Sequence, residues 1–191
     1  MNTIVLMRHG ETDANRNTIV QGRTDNPLNE EGRAQARRTG LFLARKGEVF
    51  DLVVSSPLSR ALESACLVVS GFPVIQEVQV VPELTERHFG DYDGKKLDEE
   101  YFRLVNSDSI PHMEKNAVLE ARVEAALRAL CEENPGKRIL AVVHSHVIKS
   151  VLVRLLPGFR YSSLLFNCSL NYLAFENGVF TVLAHNVNPL E

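Results

Sequence analysis

The stretch Thr3-Ile4-Val5-Leu6-Met7-Arg8-His9-Gly10-Glu11 decides the architecture. A short β-branched and apolar run ends abruptly in Arg8-His9, which is the pattern of a buried strand delivering polar side chains at its C-terminal end. Open α/β sheets keep their sites at such ends. The same pattern returns twice: the run Phe50 to Val54 stops at Ser55-Ser56-Pro57 and leads to Arg60, and Arg138 to Val143 stops at His144-Ser145-His146.

Helical segments alternate with these strands. Glu30 to Lys46 has helical composition with Gly47 as a C-cap, and a second helix begins with Pro57 as its first residue and continues to Val69. Glu114 to Glu133 places Val118, Val123, Ala126, Leu127 and Leu130 near helical spacing and is closed by Asn134-Pro135-Gly136. Val147 to Leu156 is the helix expected after the third strand. Val74 to Val81 supplies another strand, Pro82 to Lys96 a polar loop, and Leu170–Glu176 with Val179–Ala184 a hairpin around Asn177-Gly178. The expected fold is α/β: a single three-layer α/β/α sandwich with a mostly parallel central sheet, occupying residues 1–191 as one domain.

Composition narrows the partners. The net charge of −3 supplies no global positive field for nucleic acid or an acidic membrane, so an anionic substrate must be caught by local basic residues. No stretch approaches the roughly 20 apolar residues of a membrane span, and the N-terminal run is too short for a signal peptide. Cys66, Cys131 and Cys168 are odd in number and lack CxxC spacing, which argues for reduced, mostly core thiols and a cytoplasmic setting.

If the three strands are parallel neighbours, Arg8, Arg60, His9 and His144 converge in one crevice. Forked guanidinium donors suit a dianionic phosphate, a neutral imidazole can attack phosphorus, and a second imidazole and the arginines stabilise the equatorial oxygens. A carboxylic acid kept protonated by burial would serve the leaving oxygen. Glu86 and Glu83 compete for that role, only three residues apart. His144 and His146 also have the spacing of two ligands on one strand face, but no third metal ligand is obvious. Lys95-Lys96 reads as a solvated charge pair.

Arg8-His9-Gly10-Glu11-Thr12, with Asn15 following, resembles the signature of the histidine phosphatase superfamily, which includes cofactor-dependent phosphoglycerate mutases and fructose-2,6-bisphosphatase. The resemblance continues in order through Gln21 to Leu28, Gly32 with Gln35-Ala36, Ser55 to Ala61, Glu86-Arg87-His88-Phe89-Gly90, and His144 with Val147-Ile148. It implies a phosphoglycerate mutase-like fold, His9 as the phosphorylated nucleophile, Arg8, Arg60 and His144 as the phosphate pocket, and Glu86 as proton donor. It further implies substrate contacts from Asn15, Gln21, Gly22, Arg23, Arg87 and Ser145. The family needs no metal. A mutase would need 2,3-bisphosphoglycerate, whereas a phosphatase needs no cofactor.

Two departures stand out. Met113-Glu114-Lys115 replaces the Gly-Glu-Ser common in relatives, and Ser145-His146 replaces the two glycines that commonly follow the second histidine. The expected reaction is hydrolysis of a small phosphomonoester, because the short chain has little room for insertions that would exclude water. A mutase, a noncatalytic phospho-ligand-binding member and a metal-dependent phosphoesterase are the alternatives. Neither the substrate nor the oligomeric state is legible.

Overall fold

A computed structural model describes residues 1–73 and 77–190. The elements are β1 (Asn2–Arg8), α1 (Asp13–Arg16), α2 (Glu30–Arg45), β2 (Leu52–Ser55), α3 (Ser59–Val69), β3 (Val78–Val80), α4 (Glu99–Asn106), α5 (Asn116–Glu133), β4 (Arg138–Val143), α6 (Ser145–Leu155), β5 (Leu170–Glu176) and β6 (Val179–Val187). The six strands form one sheet in the order β3-β2-β4-β1-β5-β6. β3, β2, β4 and β1 run parallel, while β5 and β6 add an antiparallel edge.

Side chains alternate across β1 and so build two cores. Ile4 and Leu6 pack with Ile139, Ala141 and Val143 of β4 against α5 and α6, through residues such as Leu127 and Ile148. Val5 and Met7 pack with Leu140 and Val142 against α2 and α3, through Leu43, Ala61 and Val68. Burying each such aliphatic side chain contributes about 1.5–3 kcal/mol. A sheet covered on both faces explains why β1 and β4 read as continuous apolar runs rather than alternating ones. The α2–α3 contact needs glycine at position 40, where a Cβ would sit 2.3 Å from the Val68 carbonyl oxygen.

Parallel register levels the three strand ends. Arg8 pairs with Val143, and Ser55 with Val142. Beyond those pairs, the His9 N–H donates to the Val143 carbonyl (3.0 Å) and the Ser56 N–H to the Val142 carbonyl (3.1 Å). His9, Ser56 and His144 therefore leave the sheet side by side.

Several expected boundaries shift. Pro57 lies in a bend and α3 starts two residues later, with Leu58 as N-cap. Of the strand expected from Val74 to Val81, residues Val78–Val80 form β3, and 74–76 lie outside the described residues. Ser145 and His146 belong to α6, which begins earlier than Val147 and uses His144 as its N-cap. The Pro82 to Lys96 loop contains two single 3₁₀ turns, Pro82–Leu84 and Gly90–Tyr92. Cys131 and Cys168 are buried, but Cys66 is exposed on α3.

Candidate active site

His9 follows β1 and is 3% exposed. Its Nδ1 lies 2.7 Å from the Gly10 carbonyl oxygen, which can only accept, so Nδ1 carries the proton and Nε2 keeps a free lone pair. Burial, reinforced by Arg60 and Arg8, holds the imidazole well below its ordinary pKa and hence neutral. His144 is edge-on to it, with ring centroids 5.2 Å apart. The His144 Nε2 meets Ser56 Oγ at 2.6 Å. Its pKa is also lowered, by burial first and then by Arg60, His9 and Arg8.

Two guanidinium groups flank the histidines. Arg8 donates to the Leu165 carbonyl (2.5 Å), and burial depresses its pKa to about 10. Arg60, on the first turn of α3 and 1% exposed, donates to the carbonyls of Gly22 and Thr24, both at 2.8 Å. That clamp holds the loop around Gln21 and Gly22 against the strand ends. Gly22 has φ +50°, and a Cβ there would come within 2.0 Å of an Asp93 carboxylate oxygen, so the turn requires glycine. The Nε atoms of Arg8 and Arg60 and the Nδ1 of His144 are buried without a partner. Buried polar groups are normally satisfied, and an oxyanion beside His9 would satisfy these.

Glu86 is 6% exposed and accepts from the backbone N–H groups of Arg87 (2.8 Å) and His146 (3.3 Å). Burial raises its carboxyl pKa despite these donors and the charges of Arg60 and Arg8. Glu83, by contrast, is exposed. The two carboxylates that competed for the proton-donor role in the sequence thus occupy different environments.

A cavity of about 360 Å³ opens over these groups. Arg8, His9, Arg60 and Glu86 line it together with Asn15, Gln21, Gly22 and Ser145. Thr12 caps α1 by accepting from the Asn15 N–H (3.1 Å), the Asn15 side-chain oxygen accepts in return from the Thr12 N–H (3.2 Å), and Gln21 accepts from the Thr12 hydroxyl (2.9 Å). His144 does not line this cavity; it stands edge-on beside His9 and is fully buried.

Arg23 and Arg87 sit elsewhere. Arg23 donates to the Glu86 carbonyl (3.1 Å) and pairs with Glu114 (3.3 Å) on the outer side of that loop. Arg87 is fully buried behind Glu86: it pairs with Asp108 (2.9 Å), donates to the Glu114 carbonyl (2.8 Å) and stacks on Tyr161. Both act through the shape of the Glu86 loop. Glu114, the residue shared with the family's Gly-Glu-Ser turn, ties this loop to α5 by pairing with Arg122 (2.8 Å).

His146 is not on a strand face with His144, because α6 begins between them. Its ring stacks on Tyr161 and touches Phe89, and Nε2 lies 3.3 Å from the Tyr101 hydroxyl. Among the described residues, no three His, Cys, Asp or Glu side chains group as a metal site. Sequence reasoning missed the far wall of the cavity, formed by Phe89, Tyr101, Phe102 and Leu165, and the buried Lys149. Tyr101 and Phe102 come from α4, whose signal was present in the Asp98 N-cap followed by Glu99-Glu100.

A neutral imidazole between two guanidinium groups, at the C-terminal ends of parallel strands and facing a buried carboxyl, defines a phosphate-handling α/β protein. The profile of the histidine phosphatase superfamily (branch 1) matches residues 4–188, and the chain belongs to that superfamily. Over 192 residues it is 33% identical to a Bacillus subtilis (strain 168) protein named uncharacterized phosphatase PhoE, covering 98% of this chain and 96% of that one. It is 33% identical over 186 residues to phosphoglycerate mutase-like protein 4 of Arabidopsis thaliana, covering 92% and 80%. Among solved structures, phosphoserine phosphatase from Entamoeba histolytica in complex with phosphoserine superposes with a TM-score of 0.86 at 25% identity, covering 100% of both chains. Phosphatases and a mutase-like protein thus share this architecture.

Proposed function

We propose that this protein is a phosphatase that hydrolyses a small phosphomonoester through a phosphohistidine on His9, without metal or other cofactor. The observation that carries the reading is the state of His9: neutral, with its proton on Nδ1 toward Gly10, and flanked by guanidinium groups whose Nε–H donors are unpaired.

In the first step His9 Nε2 attacks phosphorus, the P–O ester bond breaks, and the proton of Glu86 passes to the departing oxygen. The Gly10 carbonyl stabilises the Nδ1–H of the phosphoimidazolium that forms. Arg8 and Arg60 hold the equatorial oxygens, where electrostatic stabilisation acts most strongly, and the unpaired Nδ1 of His144, beside His9, is the further donor assigned to them. In the second step the Glu86 carboxylate takes a proton from water, water oxygen bonds to phosphorus, and the N–P bond breaks. Phosphate leaves and both residues return to their starting states.

Hydrolysis is preferred over mutase transfer because Phe102 and Leu164, at the cavity edge, are 39% and 68% exposed, so water has access to the phosphoenzyme. A noncatalytic reading is disfavoured by the presence of both His9 and Glu86. A single domain over residues 1–191 acting in the cytoplasm goes with this reading, as does the presence of three free thiols. The test is a ³¹P NMR time course on a panel of phosphorylated metabolites. Phosphate release at one rate with and without 2,3-bisphosphoglycerate is expected; phosphoglycerate isomerisation that needs that primer and releases no phosphate overturns the proposal.

A further inference from the structure

Two histidines stand at adjacent strand ends, and a neutral imidazole carries one proton, on one nitrogen or the other. His9 keeps its proton on Nδ1, because the Gly10 carbonyl 2.7 Å away can only accept. His144 meets a hydroxyl instead, with 2.6 Å between its Nε2 and Ser56 Oγ. A hydroxyl both donates and accepts, so the other partners of Ser56 decide where the His144 proton sits.

Strand register makes the meeting. Ser55 pairs with Val142 across β2 and β4, the Ser56 N–H donates to the Val142 carbonyl (3.1 Å), and His144 directly follows Val143, the last residue of β4. Ser56 and His144 are both fully buried. The Leu58 N–H donates to Ser56 Oγ (3.3 Å) and occupies one of its lone pairs. Among the described residues, His144 Nε2 is the one acceptor that the Ser56 O–H meets. A ring that donated Nε2–H to Ser56 would leave this buried hydroxyl proton without a partner, which buried polar groups avoid. Nδ1 is buried and unpaired in either tautomer and so does not choose between them. The hydroxyl does: it donates to Nε2 and leaves the ring proton on Nδ1.

We propose that Ser56 is a positioning residue whose hydroxyl holds His144 in the neutral Nδ1–H tautomer, keeping that N–H for an oxygen of the phosphoryl group beside His9. The identity of the ligand rests on the hydrolase reading above. The two imidazoles thereby share one tautomer and put it to opposite uses: His9 offers its Nε2 lone pair to phosphorus, and His144 offers its Nδ1–H to oxygen. Positive charge on the pocket comes from Arg8 and Arg60, and no proton enters or leaves His144 in either step. Burial first, then Arg60 from α3, His9 and Arg8 from the β1 end and Arg122 from α5, keep His144 uncharged. The form that Ser56 selects therefore persists through the neutral pH range.

Long-range ¹H–¹⁵N NMR of the protein labelled with ¹⁵N at its six histidines reads the tautomer directly, and loss of signals in His144→Gln identifies those of His144. Wild type is expected to show a protonated Nδ1 and a bare Nε2 on His144 from pH 6 to pH 8. Vanadate should move the Nδ1 signal and leave Nε2 bare. Ser56→Ala should shift the ring proton toward Nε2 and weaken vanadate binding, measured by calorimetry, by about ten- to a hundredfold, the upper end being the scale of losing one oxyanion donor. Ser56→Thr, which keeps the hydroxyl, should restore the tautomer and most of the affinity.

A His144 with Nε2 protonated, or with both nitrogens protonated, overturns the proposal from wild type alone, whether or not the Ser56 variants fold. A folded Ser56→Ala protein with unchanged tautomer and unchanged vanadate affinity overturns it as well, since a side chain that only shapes the bend before α3 would move neither readout. Both readouts are made without turnover. Absence of phosphate release beside the expected tautomer and affinities supports the Ser56 assignment and removes the hydrolase reading; phosphate release by a protein whose His144 carries its proton on Nε2 does the reverse.

Discussion

Replacing Glu86 with glutamine separates proton donation from the other roles of that side chain. The carboxyl accepts from the Arg87 N–H at 2.8 Å and the His146 N–H at 3.3 Å. Glutamine preserves the shape and can retain the shorter bond through its carbonyl oxygen, but it sets an amide donor against the His146 N–H. That mismatch costs about 1–3 kcal/mol of stability, small enough for a folded variant and measurable by thermal unfolding. The kinetic effect should be larger and selective. A general acid contributes about 10²–10⁴-fold when the leaving oxygen is a poor one. Glycerol 3-phosphate, which must expel an alkoxide, should therefore slow by that factor, whereas p-nitrophenyl phosphate, whose phenolate leaves unaided, should slow by less than about tenfold.

The pH profile adds a second readout for the same variant. The protonated carboxyl is the active form and burial raises its pKa. Wild-type kcat/KM should then fall as pH rises through that raised value, and the alkaline limb should flatten in Glu86→Gln. Stopped assays of phosphate release on both substrates across pH 5–9 supply the comparison. Equal slowing of the two substrates rules out Glu86 as the proton donor, as does transfer of the selectivity to Glu83→Gln.

Arg60→Ala should lower kcat by about 10²-fold or more, the scale of losing one strong electrostatic donor. It should also weaken competitive inhibition by vanadate and loosen the loop whose Gly22 and Thr24 carbonyls Arg60 holds, whereas Arg60→Lys should recover charge without the forked geometry; unchanged vanadate affinity in Arg60→Ala counts against the pocket. Stability should fall as the pH drops below about 6.5, because the unfolded chain takes up protons on His9, His144 and His146 that the native site, with all three pKa values lowered by burial, refuses. Each contributes up to about 1.4 kcal/mol per pH unit, and the raised Glu86, which titrates in the opposite sense, offsets at most one of them. Urea unfolding at steps from pH 7 to pH 5 measures this slope; a flat profile refutes the burial of neutral imidazoles.

Most of the cavity floor was legible because it follows directly from strand endings. β4 coincides with the expected Arg138–Val143, and β1 extends the expected run by one residue at each end. The pairing register was not legible, because a run that is apolar on both faces keeps the same pattern after a one-residue slip. Position 60 followed from the short β2–α3 connection, although Pro57 turned out to shape the bend instead of starting the helix.

The apolar wall of the cavity was not legible for a different reason. Tyr101, Phe102 and Phe89 reach the cavity from α4 and a loop distant in sequence, and no local periodicity announces such a meeting. α4 itself spans only Glu99–Asn106, short enough for its capping residue to be its main signal. Lys149 was hidden within an apolar helix, where a lone lysine reads as an exposed interruption. The roles of Arg23 and Arg87 as supports of the Glu86 loop depend on Glu114 and Asp108, partners 91 and 21 residues away.

The proposed reaction turns on a covalent bond between phosphorus and His9 Nε2. Rapid quenching of the enzyme with ³²P-labelled substrate in base, followed by peptide mapping, tests it directly. The expected result is an acid-labile, base-stable label on the peptide containing His9, absent from His9→Ala, whose turnover falls by several orders of magnitude. Label on a serine, or a His9→Ala protein with near wild-type turnover, would contradict it.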